Sequence, residues 1–307
     1  MSQVFAAMPI LALFLLGFLL KKATFFKEET IVDIKTFILT ISLPALLFNA
    51  FLSLEIQATY TLLIVVVYFM CFFMILIGKA VAKIGKIKNP YFPLMMGGFE
   101  MGMFGYALFI SLYGAEHLGK IAFLAIGQSI FIFTILTSSI MVLQNGKQSI
   151  KSSLKQFITS PIILAIAAGI IVGQFKTQIG DGLAVNAVLT FIQLLGSITI
   201  PLITITIGYG IIIERDGLGL SLLTILVRKS ALVVFALLIN RYIIDGLLHM
   251  DAMYRYAMLI LALSPPTFAL SIFVKPEDKE NLTYINRTIS LDCLISIFLT
   301  MIAAAVY

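Results

Sequence analysis

Tryptophan is absent from this chain, and charge is scarce: Lys, Arg, Asp and Glu make up 12% of 307 residues. A soluble domain carries about 25%, so an ordinary water-soluble domain of this length is excluded. Without Trp, any aromatic belt at a membrane surface falls to Tyr. Cysteine is almost missing as well. Cys71 and Cys293 both lie in apolar runs, which predicts neither a disulfide framework nor a metal cluster. The two histidines, His117 at the start of a hydrophobic span and His249 in a loop, have no metal-ligand spacing with another residue. HExxH is absent, which argues against a zinc hydrolase, and so is GxxxxGK[ST], which argues against an ATP-driven pump. The chain is therefore read as a non-enzyme without cofactor or metal. A net charge of +6 would point to nucleic acid in a soluble protein. Here the placement of the basic residues explains it, and no nucleic-acid partner is expected.

What the chain does have is apolar sequence: 61% of residues are hydrophobic and the mean hydropathy is +1.08. Runs of about 20 apolar residues recur, the length that crosses a bilayer. Ten spans are expected, at 4–20, 34–52, 59–82, 92–112, 117–142, 157–175, 184–212, 219–243, 253–273 and 284–306. The first lacks a basic leader and a cleavage site, so it reads as a retained span and not a signal peptide. Seventeen of the 21 Lys and Arg residues fall on alternate connectors: Lys21, Lys22, Lys27 and Lys35; Lys79, Lys83, Lys86 and Lys88; Lys147, Lys151 and Lys155; Arg215, Arg228 and Lys229; Lys275, Lys279 and Arg287. The positive-inside rule makes that side cytoplasmic and puts both termini outside. Small loops without appended domains suit a prokaryotic inner-membrane protein in contact with lipid.

The polar connector 144–156 divides the chain into halves, 1–143 and 157–307, of five spans each. An odd number of spans makes the second half enter the membrane from the opposite side, so a repeat would be inverted. Two local matches support one. ISLPALLFNAFL (41–52) and ITIPLITITIGYG (198–210) each place a proline, Pro44 or Pro201, inside a span. The fourth span of each half is also irregular, through GGFEMGMFG (97–105) in the first and Ser264, Pro265, Pro266 and Thr267 in the second. Consecutive prolines remove backbone donors and break a helix. The glycine cluster either unwinds the chain or only allows tight helix packing. Broken spans at matching places in two inverted halves mark the binding site of secondary transporters.

Glu100 and Asp292 are the carboxylates expected far from the membrane surfaces, with no Lys or Arg at their depth. Glu29, Glu55, Asp181, Asp216 and Glu277 are assigned to loops or span ends. A buried, unpaired carboxylate takes up a proton, which makes Glu100 a candidate for proton coupling. A ligand for Na⁺, a reader of a cationic substrate group and a neutral structural acid are the other roles it fits. Asp292, with Ser290 and Ser296 on its span, is the second ion-coupling candidate. Gln128 in span five is its expected counterpart. Substrate contacts are assigned to Glu100, Met101, Gly102, Phe104 and Gly105 at the first break and to Ser264, Pro265, Pro266 and Thr267 at the second. Asn49 and Thr204 add neutral polar groups.

LPALLF (43–48), EMGMFGYAL (100–108), GSITIPLITITIGYG (196–210), LALSPPTFA (261–269) and SLDCLISIF (290–298) together resemble the auxin efflux carrier family, which includes plant carriers and bacterial malate-permease-like proteins. The resemblance covers essentially the whole chain. It implies an all-α polytopic membrane protein of ten helices in two inverted five-helix repeats. Helices four and nine would be broken and cross at mid-membrane, and a scaffold domain would sit beside a transport domain. It also implies elevator-like transport of a small organic anion, such as a mono- or dicarboxylate, and a homodimer. Two positions depart from the family pattern: Glu100 stands where Asn is common, and Ala107 where Pro is common. A proton- or Na⁺-coupled permease is the resulting expectation. A carrier of an amine or zwitterion is the alternative, followed by a channel, a membrane-embedded enzyme or a substrate sensor.

Overall fold

The computed structural model describes residues 2–52, 60–145, 155, 158–175, 182–210, 217–275 and 277–306. The connector predicted at 144–156 lies outside these apart from 144, 145 and 155. Glu55, Lys147, Lys151, Lys176, Asp181, Arg215 and Asp216 also lie outside them.

Every regular element among the described residues is a helix. In chain order they are α1 (Ser2–Lys22), α2 (Glu28–Leu52) and α3 (Tyr60–Ile84), α4 (Tyr106–Tyr113), α5 (Ala115–Gln144), α6 (Pro161–Gln174), α7 (Leu183–Gly210), α8 (Leu218–Asp245), α9 (Ala252–Leu263), α10 (Ala269–Phe273) and α11 (Lys279–Val306). Six of them, α2, α3, α5, α7, α8 and α11, are long and apolar enough to cross a membrane. Large apolar side chains such as Phe69, Phe73, Phe191, Leu194, Leu226 and Phe298 are exposed on these helices. Outside a membrane, such a surface would aggregate. The chain is a helical, multi-pass membrane protein.

Helix ends differ from the hydropathy reading where the first turn is polar. α2 starts at Glu28 and not near 34, because Glu28 and Glu29 favour the positive end of its dipole. α11 likewise starts at Lys279, with Glu280 in its first turn. The two in-span prolines are absorbed in different ways. Pro44 has no N–H to offer the Thr40 carbonyl, and the chain widens into a π turn over Ile38–Ser42 just before it. Within α7, helical structure is interrupted after Ser197 and resumes at Thr199. Pro201 therefore falls in a first turn, where no backbone donor is needed.

The helices group into two compact units. One takes in Met1–Gln57, Gly102–Ala122 and Ile158–Ile211; the other takes in Ala58–Met101, Phe123–Phe157 and Ile212–Tyr307. Each draws on sequence from both sides of the 144–156 connector.

In the first unit α1 packs along the second half of α7, and α6 along the second half of α2. Both contacts are made through glycine. A Cβ on Gly17 would overlap the Ile205 carbonyl, and one on Gly208 would overlap that of Phe14. On α6, Gly169 and Gly173 lie one turn apart against the Phe48 and Leu52 carbonyls, where a Cβ would stand 2.6 and 2.7 Å away. Small residues four apart let backbones touch where the solvent is lipid and dispersion must drive association. In the second unit α8 packs against α9 and α11. Thr224 shares a 2.7 Å hydrogen bond with Tyr284, and the Ser221 hydroxyl joins Thr288 and the Arg287 Nε.

Gly208→Ala should therefore lower stability by roughly 1–3 kcal/mol, as overpacking does. Gly210→Ala, a residue with open space around it, should change it by less than about 0.5 kcal/mol. Thermal unfolding of the purified protein in detergent compares the two.

Candidate functional site

The two predicted breaks are present, and the open backbone of both, 97–100 and 264–267, lies in the second unit. In the first, a 3₁₀ turn over Leu94–Met96 gives way to irregular backbone at 97–100. Helical winding returns as a π turn at Met101–Gly105. Gly98 has φ +76°, a left-handed conformation that side-chain-bearing residues adopt only under strain. In the second break, α9 ends at Leu263, and Ser264 to Thr267 run without regular structure before α10. Pro265 and Pro266 account for the stop.

Open backbone inside a membrane must be satisfied by protein, and here the two breaks satisfy one another. The Glu100 N–H donates to the Pro265 carbonyl at 2.9 Å. The Glu100 carboxylate accepts the Phe268 N–H at 2.7 Å, a charge-assisted bond when Glu100 is ionised. The Thr267 hydroxyl accepts the Ala269 N–H at 3.2 Å. Gln128 reaches in from α5, and its Oε1 accepts the Phe99 N–H at 3.0 Å. Glu100 and Gln128 are both buried.

Two cations complete the site, and they correct the sequence reading. Arg228 and Lys229 belong to no cytoplasmic connector. They sit in the middle of α8 and are buried. The expectation that no Lys or Arg lies at the depth of Glu100 and Asp292 is therefore overturned. Arg228 Nη2 donates to the Gly98 carbonyl at 2.6 Å, and its guanidinium lies 5.0 Å from the Phe99 ring centroid, within cation–π range. Its Nε and Nη1 have no hydrogen-bond partner among the described residues. Lys229 turns to the other break. Its Nζ lies 2.9 Å from Asp292 Oδ1 and donates to Ser296 Oγ at 2.8 Å and to the Ser264 carbonyl at 3.0 Å. It also donates to the Leu263 carbonyl. Successive residues of one helix thus serve successive breaks. The signal was available in the sequence: both cations fall well inside the predicted span 219–243, where charge is costly and therefore marks function or pairing.

Of the residues assigned to the site, hydrogen bonds or ion pairs link Glu100, Gln128, Ser264, Pro265 and Asp292 to the crossing or to Lys229. Thr267 caps the following turn, and Met101 and Pro266 are buried beside these residues in sequence. Gly102, Phe104, Gly105, Asn49 and Thr204 belong to the first unit. There the Thr204 hydroxyl donates to the Ile200 carbonyl of its own helix, at 2.8 Å. Ser290 is buried on α11. No group of three or more His, Cys, Asp and Glu residues suited to a metal ion occurs among the described residues.

No protein-family model matches the sequence, and no curated protein matches it either.

Breaking the Lys229–Asp292 pair from one side leaves a buried charge uncompensated. Asp292→Asn alone should cost about 3–5 kcal/mol. Lys229→Met combined with Asp292→Asn should cost less than the single change. Denaturation midpoints of the two variants in one detergent check the order.

Proposed function

We propose that the chain is a secondary active transporter of a small organic anion, a mono- or dicarboxylate, related to the auxin efflux carrier family. It would be coupled to protons through Glu100 and work by elevator-like alternating access. The observation that carries this reading is the meeting of two broken helices, with Glu100 of one hydrogen-bonded to the backbone of the other. Discontinuous helices of this kind hold substrates and coupling ions in transporters of inverted-repeat design.

Several features support a ten-span inverted repeat. Exchange of the two five-span halves converts the α1–α7 pair into the α6–α2 pair, and both pairs occur. Ser42 and Thr199 each stand two residues before an in-span proline. Each carries a buried hydroxyl with no partner among the described residues. Gln128 on α5 and Asp292 on α11 each attend one break, directly or through Lys229. The interleaving of both halves in each compact unit fits a division into a scaffold unit and a transport unit.

The charges give the coupling its logic. Arg228 and Lys229 balance Glu100 and Asp292 when all four are ionised. A proton on Glu100 leaves one excess positive charge, which an entering anion neutralises. It also weakens the acceptor that holds the Phe268 N–H. Proton and anion then bind together, and neither is favoured alone. The partnerless Arg228 Nε and Nη1 can each donate to a carboxylate oxygen. The loop charges that remain after Arg228 and Lys229 are removed from the tally support outer termini, and the small loops suit a prokaryotic inner membrane.

Proteoliposomes holding the purified protein should take up labelled small carboxylates when the outside is made acidic, and Glu100→Gln should abolish the dependence on the pH gradient. Carboxylates should also raise the melting temperature more at pH 5.5 than at pH 7.5, because a ligand of the native state stabilises it. Stabilisation by amines alone would reject the organic anion. An unchanged pH dependence in Glu100→Gln would reject the coupling role.

A further inference from the structure

The surroundings of the Lys229 ammonium are those of a bound alkali ion. Four oxygens face Nζ: the carbonyls of Leu263 and Ser264, the Ser296 hydroxyl and Asp292 Oδ1. Two of them close the C-terminal end of α9, where helix carbonyls lack intrahelical partners and the dipole is negative. Ser296 also donates to Asp292 Oδ1 at 3.1 Å, which fixes the carboxylate. A fifth oxygen, Asp292 Oδ2, is buried and has no partner among the described residues. Asp292 itself is 0% exposed.

Carbonyl, hydroxyl and carboxylate oxygens in this mixture are the ligands that hard cations take. Unwound carbonyls and helix C-termini are where membrane transporters hold sodium. The one carboxylate among the four oxygens that face Nζ matches a single positive charge, which suits a monovalent ion.

We propose that the second break contains a monovalent-cation site which the chain fills with its own Lys229 ammonium, a cation tethered to α8. The covalent tether replaces a freely exchanging ion. The wild-type protein then needs no sodium or potassium to hold the break together. Removing the side chain leaves the oxygens in place and opens the site to an alkali ion from solution. This inference is independent of which solute the protein moves.

The test compares melting temperatures in sodium, potassium and choline chloride at one ionic strength. Wild type should melt within about 1 °C in all three. Lys229→Ala should melt at least about 3 °C higher in sodium or potassium than in choline, the shift expected when an ion well above its dissociation constant binds only the native state. Which of the two ions acts reads the size of the cage. Lys229→Ala with Asp292→Asn should lose the difference. A wild type that responds to sodium as strongly as Lys229→Ala would overturn the proposal, as would a Lys229→Ala protein indifferent to all three salts. If Lys229→Ala yields folded protein only when extracted in an alkali chloride, the proposal is supported. If it fails in every salt while the double variant folds, the ion cannot replace the ammonium and the proposal falls.

Discussion

Two stretches of open backbone, 97–100 and 264–267, leave donors and acceptors buried from solvent, and the second unit is built around supplying them with partners. The Glu100 backbone and carboxylate serve the second break, Gln128 and Arg228 serve the first, and Lys229 closes the end of α9. Each unmatched group would cost several kcal/mol in hydrocarbon. None of these side chains is therefore free to vary independently. The glycine at 98 and the prolines at 265 and 266 create the demand, and the buried charges meet it.

That arrangement has a consequence for function. In the proposed transport cycle the groups that stabilise the crossing are also the groups that a proton or an anion would act on. Protonating Glu100 alters the charge balance and the hydrogen bond to Phe268 in one step. Under the proposed function, structural support and ion coupling share the same atoms, so ligand binding would act directly on the geometry of the breaks. The first unit is held differently, by glycine-mediated backbone contact, with no buried ion pair among its described residues. Its packing has little electrostatic content, and protonation has little to act on there.

Much of this was legible in the residues. The apolar runs identified a multi-pass helical protein, Pro265–Pro266 and the Gly97–Gly105 cluster marked both breaks, and Glu100, Gln128 and Asp292 stood out as polar groups in apolar surroundings. The sequence did not disclose that Glu100 would be spent on the other break, because hydropathy carries no information about which spans cross. Arg228 and Lys229 were misplaced because counting charges by connector assumes that charge avoids the membrane interior. That assumption fails where a helix end and a carboxylate are waiting for a cation. Asn49 and Thr204 enter the site reading by polarity alone, and the Thr204 hydroxyl bonds back to its own helix, a common fate of Thr in apolar helices.

The central claim is that Glu100 holds the second break from the first, across 168 positions of sequence. Amide hydrogen exchange at Phe268, compared between wild type and Glu100→Ala, tests it most directly. Loss of a charge-assisted acceptor, worth about 1.5–3 kcal/mol, should speed exchange there by about tenfold or more and leave α3 and α7 unchanged. Equal protection of Phe268 in both proteins would contradict the account.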